Sequence, residues 1–342
     1  MASLRIRWAV GGLLVATAGC GGPSGTTRLE PLPKAAFTEL AAPSATPTSG
    51  RAAAGAIAVP SAQLVVRLSP LHLPTPTTRS VAFPSASSLI IAGGLTPHGT
   101  TNRVVRLPID GRPAATIGRL DHPVHDAAGV TLGGAMLVLG GGAITQDAWV
   151  QRVVVDGGTS TVPGHLPAAR ADLAAVVVGS QAVVVGGGAG GRADPRVLAT
   201  SDGVHFRLVA RLPVAVRYAA VTVADGKVFV IGGSTSNGDV STIQEVNVAA
   251  GSARVVGRLP ASVSHATAMT LGGSIVVAGG RRAGRALDTV LTIDPTSLAA
   301  RTVGRLPFAL SDAAGVVVDG VGYLVGGEAA RPLATIETIA AS

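Results

Sequence analysis

The chain has 342 residues, of which 27 are lysine or arginine and 19 are aspartate or glutamate, and its formal net charge is +8. A basic balance of this kind suggests an anionic partner such as nucleic acid. However, the arginines are scattered without a polybasic run and lysine occurs only at Lys34 and Lys227, so we exclude nucleic-acid binding.

Residues 1–19 form the pattern of a secretory signal peptide. Arg5 and Arg7 precede an apolar, small-residue run that is too short for a permanent membrane-spanning helix. The run ends in TAG before Cys20, the only cysteine. This ending resembles the lipobox of bacterial lipoproteins, with Thr17 where leucine is usual. The resemblance implies secretion across the cytoplasmic membrane and a lipid anchor on Cys20 at the cell envelope. Ordinary cleavage and release is the alternative.

Residues 20–62 follow as a tether between this cysteine and the rest of the chain. They are rich in Ala, Pro, Ser, Thr and Gly and show no apolar period, a composition typical of disordered segments. A coil of about forty residues has a root-mean-square span of roughly 35 Å. The tether is therefore long enough to hold a domain clear of lipid headgroups.

From residue 63 onward the chain repeats one unit six times. Each unit contains a short apolar run that ends in two adjacent glycines, as in VFVIGG from Val228 to Gly233. The first glycines of the pairs lie at 93, 140, 186, 232, 279 and 326, so neighbouring units are 46 or 47 residues apart. In every unit a Leu-Pro or Leu-Asp exit lies 19 residues before that glycine, from Pro74 to Pro307. Such a regular period indicates a repeat architecture.

The fourth unit shows the strands inside one repeat. YAAVTV and VFVIGG flank a two-residue Asp-Gly hairpin turn, and TIQEVNVAA and SARVVGRLP follow as third and fourth strands. Four short antiparallel strands per unit make one blade of a propeller. We therefore predict an all-β, six-bladed β-propeller over residues 63–342, present as a monomer.

The two ends of the array predict how the ring closes. The last unit stops after its third strand, LATIETIAAS, while Ala62 to Pro74 has the pattern of a fourth strand without the three that should precede it. We predict that this N-terminal strand pairs with the C-terminal unit and completes its four-stranded antiparallel blade. This pairing leaves no open sheet edge.

The glycine pairs, with an aromatic residue three positions earlier at Phe229 and Tyr323, resemble the Kelch repeat family. The family's fourth-strand tryptophan is absent, since Trp8 lies in the signal peptide and Trp149 in a third strand. The resemblance implies that the first strands line a central channel. It also implies that the loops after the glycine pairs open on the face where those strands begin.

The residue fourteen positions before each first glycine begins an inner strand and is polar or ionisable in all six units. In blade order these residues are Arg79, Asp126, Asp172, Tyr218, His265 and Asp312. The preceding position adds His125 and Arg217, and the residue after the glycine pair adds Arg281 and, in the last unit, Glu328. We predict that the six residues, with His125, Arg217 and Arg281, form a mouth that binds a small polar ligand such as a polyhydroxylated or anionic sugar. A ring whose charges neutralise one another around water is the alternative.

The sequence contains no Gly-rich phosphate loop, no Cys/His metal spacing and no fixed catalytic motif, so we predict no cofactor and no metal. A calcium site on Asp126 and Asp172 would lack further oxygen ligands. Among Kelch-like enzymes, the galactose oxidase type needs a cysteine that the domain lacks. Sialic-acid epimerases need only acid–base residues, which His125, His265 and the aspartates would supply.

We therefore predict a membrane-tethered binding propeller outside the cytoplasm that recognises a carbohydrate, an envelope polymer or a protein partner. A carbohydrate epimerase or mutarotase is the alternative. An enzyme would place its acid–base residues in one deep pocket, whereas a binding scaffold would show a shallow mouth with self-paired charges.

Overall fold

The structure is a computed structural model and describes residues 63–155 and 157–342. The predicted signal peptide, Cys20 and the tether lie outside these residues. In the described part every regular element is a β-strand, and no helix there has the length and apolar character needed to cross a membrane.

The first three blades each contain four antiparallel strands, ordered from the axis outward. Blade 1 consists of Val81–Ser85, Ser88–Ala92, Arg103–Pro108 and Ala115–Arg119. Blade 2 consists of Ala128–Leu132, Ala135–Leu139, Trp149–Arg152 and Thr161–His165. Blade 3 consists of Ala171–Val178, Gln181–Ala189, Arg196–Thr200 and Arg207–Arg211.

The other three blades follow the same order. Blade 4 consists of Ala220–Ala224, Lys227–Ile231, Thr242–Asn247 and Ser252–Arg258. Blade 5 consists of Thr267–Leu271, Ser274–Ala278, Arg285–Ile293 and Ala300–Leu310. Blade 6 consists of Ala314–Val318, Val321–Val325, Thr335–Ala341 and Leu64–His72. Additional two-residue strands lie in the loops after the glycine pairs: Leu95–Thr96, Gly99–Thr100, Arg192–Ala193, Ser234–Thr235, Gly238–Asp239 and Arg281–Arg282.

The predicted six-bladed propeller and its closure are confirmed. Leu64–His72 pairs antiparallel with Thr335–Ala341, with Val66 opposite Ile339. It becomes the outer strand of the sheet whose inner strand is Ala314–Val318. The two ends of the repeat array therefore share one blade.

The hydrophobic core lies between neighbouring blades. Phe83 of blade 1 belongs to the same buried cluster as Val138 of blade 2, and Phe229 of blade 4 shares a cluster with Ile275 of blade 5. Each sheet thus buries both faces against its neighbours. This packing explains why the strands are apolar on both faces and are rich in Val, Ala and Leu.

The paired glycines mark the point where one blade touches the linker that leads into the next. Gly232 has a φ of +63°, and a Cβ there would lie 2.1 Å from the carbonyl oxygen of Val263. The N–H of Gly233 donates a hydrogen bond of 2.8 Å to this same oxygen. A side chain at position 232 would therefore be both strained and in collision with the linker.

Candidate functional site

A closed belt of backbone hydrogen bonds surrounds the axis where the inner strands begin. In each blade the residue predicted to start the inner strand donates its N–H to the carbonyl of the equivalent residue in the preceding blade, over 2.9 to 3.1 Å. The bond from Arg79 to Asp312 closes the circle at 3.0 Å. The belt brings together all six predicted positions: Arg79, Asp126, Asp172, Tyr218, His265 and Asp312.

The backbone of the belt restricts which residues suit these positions. All six have a positive φ, between 54° and 60°. Aspartate and histidine are enriched in this left-handed region because their short polar side chains tolerate it. The three aspartates and His265 therefore have a conformational reason to be there. Arg79 and Tyr218 lack this explanation.

The mouth of the channel is a cavity of about 120 Å³ lined by the six belt residues and by the small residues that follow them. A second cavity of about 200 Å³ continues along the first strands, whose side chains are mostly alanine, glycine and valine. The first strands thus line the channel, as the resemblance implied. The polar groups of the channel are concentrated at this one end.

Arg79 and Arg281 share one carboxylate at the rim of the mouth. Arg79 places Nη1 3.1 Å from Asp126 and Nη2 3.2 Å from Glu328. Arg281 also pairs with Glu328, and its Nε lies 3.3 Å from Asp312. Glu328 was not among the predicted ligand-binding residues, although it occupies the same repeat position as Arg281. It joins three blades electrostatically.

The other side of the mouth is built around Tyr218. Arg217 donates from Nε to Asp172 at 2.5 Å and from Nη2 to the Tyr218 hydroxyl at 3.2 Å. The Tyr218 ring stacks on His265, with centroids 3.8 Å apart. His265 then places Nδ1 2.6 Å from Asp312. The predicted residues therefore form a nearly continuous network rather than independent side chains.

Two further polar residues reach the mouth from the loops after the glycine pairs. Thr100 lies 3.0 Å from Nδ1 of His125, and Asp239 accepts a 2.6 Å hydrogen bond from Ser234. The sequence analysis missed both residues. Each lies seven positions after the first glycine of its pair, so the repeat register would have identified them as equivalents.

The mouth also shifts the protonation of its acids. Burial raises the pKa of Asp126 to about 6 against the opposing charge of Arg79, and the charges of Asp172 and Asp312 raise it further. Burial opposes ionisation of Asp312 as well, but the hydrogen bond from His265 and the nearby cations hold its pKa below the usual range. Burial and Arg79 lower the pKa of His125. The mouth therefore contains one carboxyl group that titrates close to neutral pH.

The arrangement offers guanidinium donors beside carboxylate acceptors. The side chains of Arg79, Arg217 and Arg281 remain 21% to 25% exposed, so a ligand in the mouth can reach them. Within residues 63–155 and 157–342, no three His, Cys, Asp or Glu side chains are grouped closely enough to hold a metal ion.

No family model matches the chain, and no curated protein matches it. Among solved structures, the chain is similar to the one titled "Structure of YjhT", with a TM-score of 0.66. The two share 14% sequence identity over 78% of this chain and 95% of the other. This similarity supports the propeller fold, and function must be argued from the mouth itself.

Proposed function

We propose that this protein is an extracytoplasmic, membrane-tethered propeller of the Kelch type that binds a carbohydrate at the channel mouth. The observation that carries the proposal is the convergence of polar side chains from all six blades on one cavity. Sugar hydroxyl groups both donate and accept hydrogen bonds. They therefore suit a surface where guanidinium donors alternate with carboxylate acceptors.

The charge balance of the mouth narrows the class of ligand. Three guanidiniums, of Arg79, Arg217 and Arg281, pair with four carboxylates, of Asp126, Asp172, Asp312 and Glu328. With all four ionised, the network has no excess positive charge to attract an anion. We therefore favour a neutral polyhydroxylated ligand over an anionic sugar.

The same pairing favours binding over catalysis. Each arginine is already matched with a carboxylate, and self-paired charges of this kind are what a binding scaffold is expected to show. An envelope polymer or a protein partner would bind at the same mouth by inserting one of its own polar groups into the cavity. Binding through the mouth is thus the common element of these alternatives.

A carbohydrate epimerase or mutarotase remains the second candidate because of Asp126. Its pKa of about 6 suits proton transfer near neutral pH, and His125 places Nε2 3.6 Å from its carboxylate. Exchange of sugar anomers, followed by nuclear magnetic resonance, tests this candidate directly. Acceleration by the wild type that is lost in Asp126→Asn would favour catalysis.

The binding site is tested by pairing a mouth variant with a matched control. A sugar screen by thermal shift first identifies a ligand, and calorimetry then measures its affinity for the Asp126→Asn, Asp172→Asn double variant. Asparagine tolerates positive φ, whereas alanine would strain the belt. Because charge-assisted hydrogen bonds are lost, we expect affinity to fall about 10- to 100-fold.

The control is Asp225→Asn, which also has positive φ, +49°, but lies in the hairpin between the first and second strands at the opposite end of the channel. We expect it to bind like the wild type. A ligand bound equally well by the double variant would place the site elsewhere and leave the ring a structural feature.

The lipid anchor gives a separate prediction for the intact cell. If Cys20 is acylated, the Cys20→Ser variant moves from the membrane fraction to the soluble fraction, because a single residue carries the anchor. Fractionation followed by immunoblotting measures the shift. Wild-type protein recovered in the medium with a mature N-terminus other than Cys20 would contradict the anchor.

A further inference from the structure

A basic side chain occupies the same position in the outer strand of every blade. It lies two residues before the residue that ends each Leu-Pro or Leu-Asp exit, and it is exposed in all six copies: His72, Arg119, His165, Arg211, Arg258 and Arg305. In an antiparallel four-stranded blade, the fourth strand ends at the edge where the first begins. The six side chains, four arginines and two histidines that count as neutral at pH 7, therefore lie around the outer rim of the mouth face.

The loops after the glycine pairs extend the same charge toward solvent. Their exposed basic residues are His98, Arg192, Arg282, Arg285 and Arg331. In the described residues of these loops no carboxylate is fully exposed, since Asp147, Asp194 and Asp239 are half-buried. At the rim, Asp121 lies beside Arg119 in sequence, and Asp288 pairs with Arg305 at 2.7 Å. Basic groups outnumber acidic ones on this face.

The opposite face carries acidic turns. Exposed aspartates lie in the turns between the first and second strands and between the third and fourth: Asp110, Asp202, Asp225, Asp294 and Asp319. Among the basic residues near this edge, Arg112 pairs with Asp110 at 2.9 Å and Arg254 pairs with Glu245 at 3.0 Å. Exposed Arg152, Arg207 and Arg301 also lie near this edge, so acidic and basic groups nearly balance there, whereas basic groups are in excess on the mouth face.

An apolar side chain projects from the positive face. Ile144 is 100% exposed and lies in the blade 2 loop that follows Gly140 and Gly141. Ile144 lies on the same face as the outer arginines, where an apolar side chain can enter the interface of a bilayer whose headgroups meet those arginines. A soluble polyanion would offer this side chain no apolar environment.

We propose that the mouth face docks flat on an anionic lipid bilayer, with the rim arginines on headgroup phosphates and Ile144 in the interface. A flat bilayer meets all six rim positions at once, whereas a thread-like polyanion crosses only part of the rim. Arginine suits phosphate because its planar guanidinium donates two parallel hydrogen bonds. The proposal does not depend on the mouth ligand or on the anchor at Cys20. In this pose, sugars carried by lipids would face the channel.

Two outer strands provide a charge-matched test, since each ends in an arginine on the mouth face and has a second arginine, Arg207 or Arg254, in its first three residues. Arg211→Gln, Arg258→Gln removes two charges from the mouth face, and Arg207→Gln, Arg254→Gln removes two from the opposite end of the same strands. Residues 63–342 contain all six blades and the closing strand, so this domain is used, with thermal melts to confirm folding. Co-sedimentation measures its binding to phosphatidylcholine vesicles with and without phosphatidylglycerol.

We expect the domain to bind only the anionic vesicles and to bind more weakly as salt rises. The mouth-face variant should bind about 30-fold more weakly, since each arginine near an anionic surface contributes about fivefold. The opposite-face variant should stay within about twofold of the wild type. Equal losses in the two variants would show a response to net charge alone and would overturn the docking pose.

A second matched pair of variants tests the apolar contact between Ile144 and the bilayer. Ile144→Ser should weaken binding to anionic vesicles severalfold, whereas Val204→Ser, in a turn on the opposite face and 39% exposed in the wild type, should not. Absence of vesicle binding would overturn the proposal. Dextran sulfate, a soluble polyanion, is the second probe. If the mouth-face variant binds it more weakly than the wild type does, and Ile144→Ser binds it equally well, the docking proposal would also be overturned, because the partner would then be a soluble polyanion.

Discussion

A chain that begins at Leu73 is expected to lose its cooperative fold, because it lacks the strand Leu64–His72 that completes blade 6. That strand pairs along the whole length of Thr335–Ala341, and Leu64 and Val66 pack into the core between blades 5 and 6. Leu71 belongs to a second buried cluster, with residues of blades 1 and 6. Removal of this strand opens the edge of the blade 6 sheet and exposes both buried clusters together.

Circular dichroism during heating and size-exclusion chromatography measure this loss. We expect the truncated chain to aggregate or to melt without a cooperative transition, since an uncovered apolar strand edge pairs with other chains. A chain beginning at Gln63 is the control and should melt like the full-length protein. A truncated chain that stays monomeric with an unchanged melting temperature would contradict closure by the N-terminal strand.

The fold was predictable because the same strand pattern recurs in six units of the sequence. Glycine pairs and Leu-Pro or Leu-Asp exits at a constant separation identify the unit, and Leu64–His72 supplies the fourth strand of the last unit. An incorrect assignment of a residue in one unit is revealed by the equivalent residues of the other five units. Closure followed from counting strands, which needs no knowledge of side-chain packing.

The mouth was predictable as a set of positions but not as a chemical environment. The repeat register identified Arg79 and its equivalents, yet their positive φ depends on a hydrogen-bonded belt that forms only when all blades meet. The pairing of Glu328 with two arginines likewise joins residues far apart in the chain. Sequence spacing shows which residues share a layer, whereas the partner of each charge depends on side-chain direction.

The distribution of charge also differs between the chain and the folded ring. Along the sequence the arginines look scattered, and this pattern predicts no charged surface. In the ring, one position per blade collects Arg119, Arg211, Arg258 and Arg305 at a single rim. A charge pattern with the period of the repeat therefore becomes visible only when the six units are aligned with one another.

The second large effect is expected at Glu337, a buried acid in the third strand of blade 6. The equivalent residues of blades 2 and 4 are Gln151 and Gln244, and each clamps a linker through two backbone hydrogen bonds. Gln244 accepts from the N–H of Val214 at 2.9 Å and donates to its carbonyl at 3.0 Å. Glu337 is only 1% exposed, and neither carboxylate oxygen has a hydrogen-bond partner in the described residues.

Burial alone raises the pKa of Glu337 to about 7, and no charged neighbour contributes to the shift. The folded state therefore binds this proton more tightly than the unfolded state, where the pKa is near 4.5. Below about pH 4.5 the group is protonated in both states, and the cost of ionising it inside the protein is absent. Between about 4.5 and 7 stability falls as the pH rises, and above 7 the total loss is about 3 kcal/mol.

The Glu337→Gln variant is expected to remove this loss. It should match the wild type at pH 4, apart from any new hydrogen bonds to the linker at Phe308, and exceed it by about 3 kcal/mol at pH 8. Thermal melts between these limits measure the difference, which should amount to about 5 °C or more at the alkaline end. The gain should grow steadily through the window from pH 4.5 to 7.

The reverse substitution provides the control. Gln244→Glu places a carboxyl group at the equivalent site of blade 4, where it can no longer donate to the carbonyl of Val214 once it is ionised. We expect this variant to be destabilised, and increasingly so above neutral pH, because its buried charge is then unpaired. Together the two variants distinguish the pH-dependent cost of a buried carboxyl group from the pH-independent effects of exchanging Glu and Gln. If Glu337→Gln changes stability equally at pH 4 and pH 8, the pKa of Glu337 is the same in the folded and unfolded protein, and burial does not shift it.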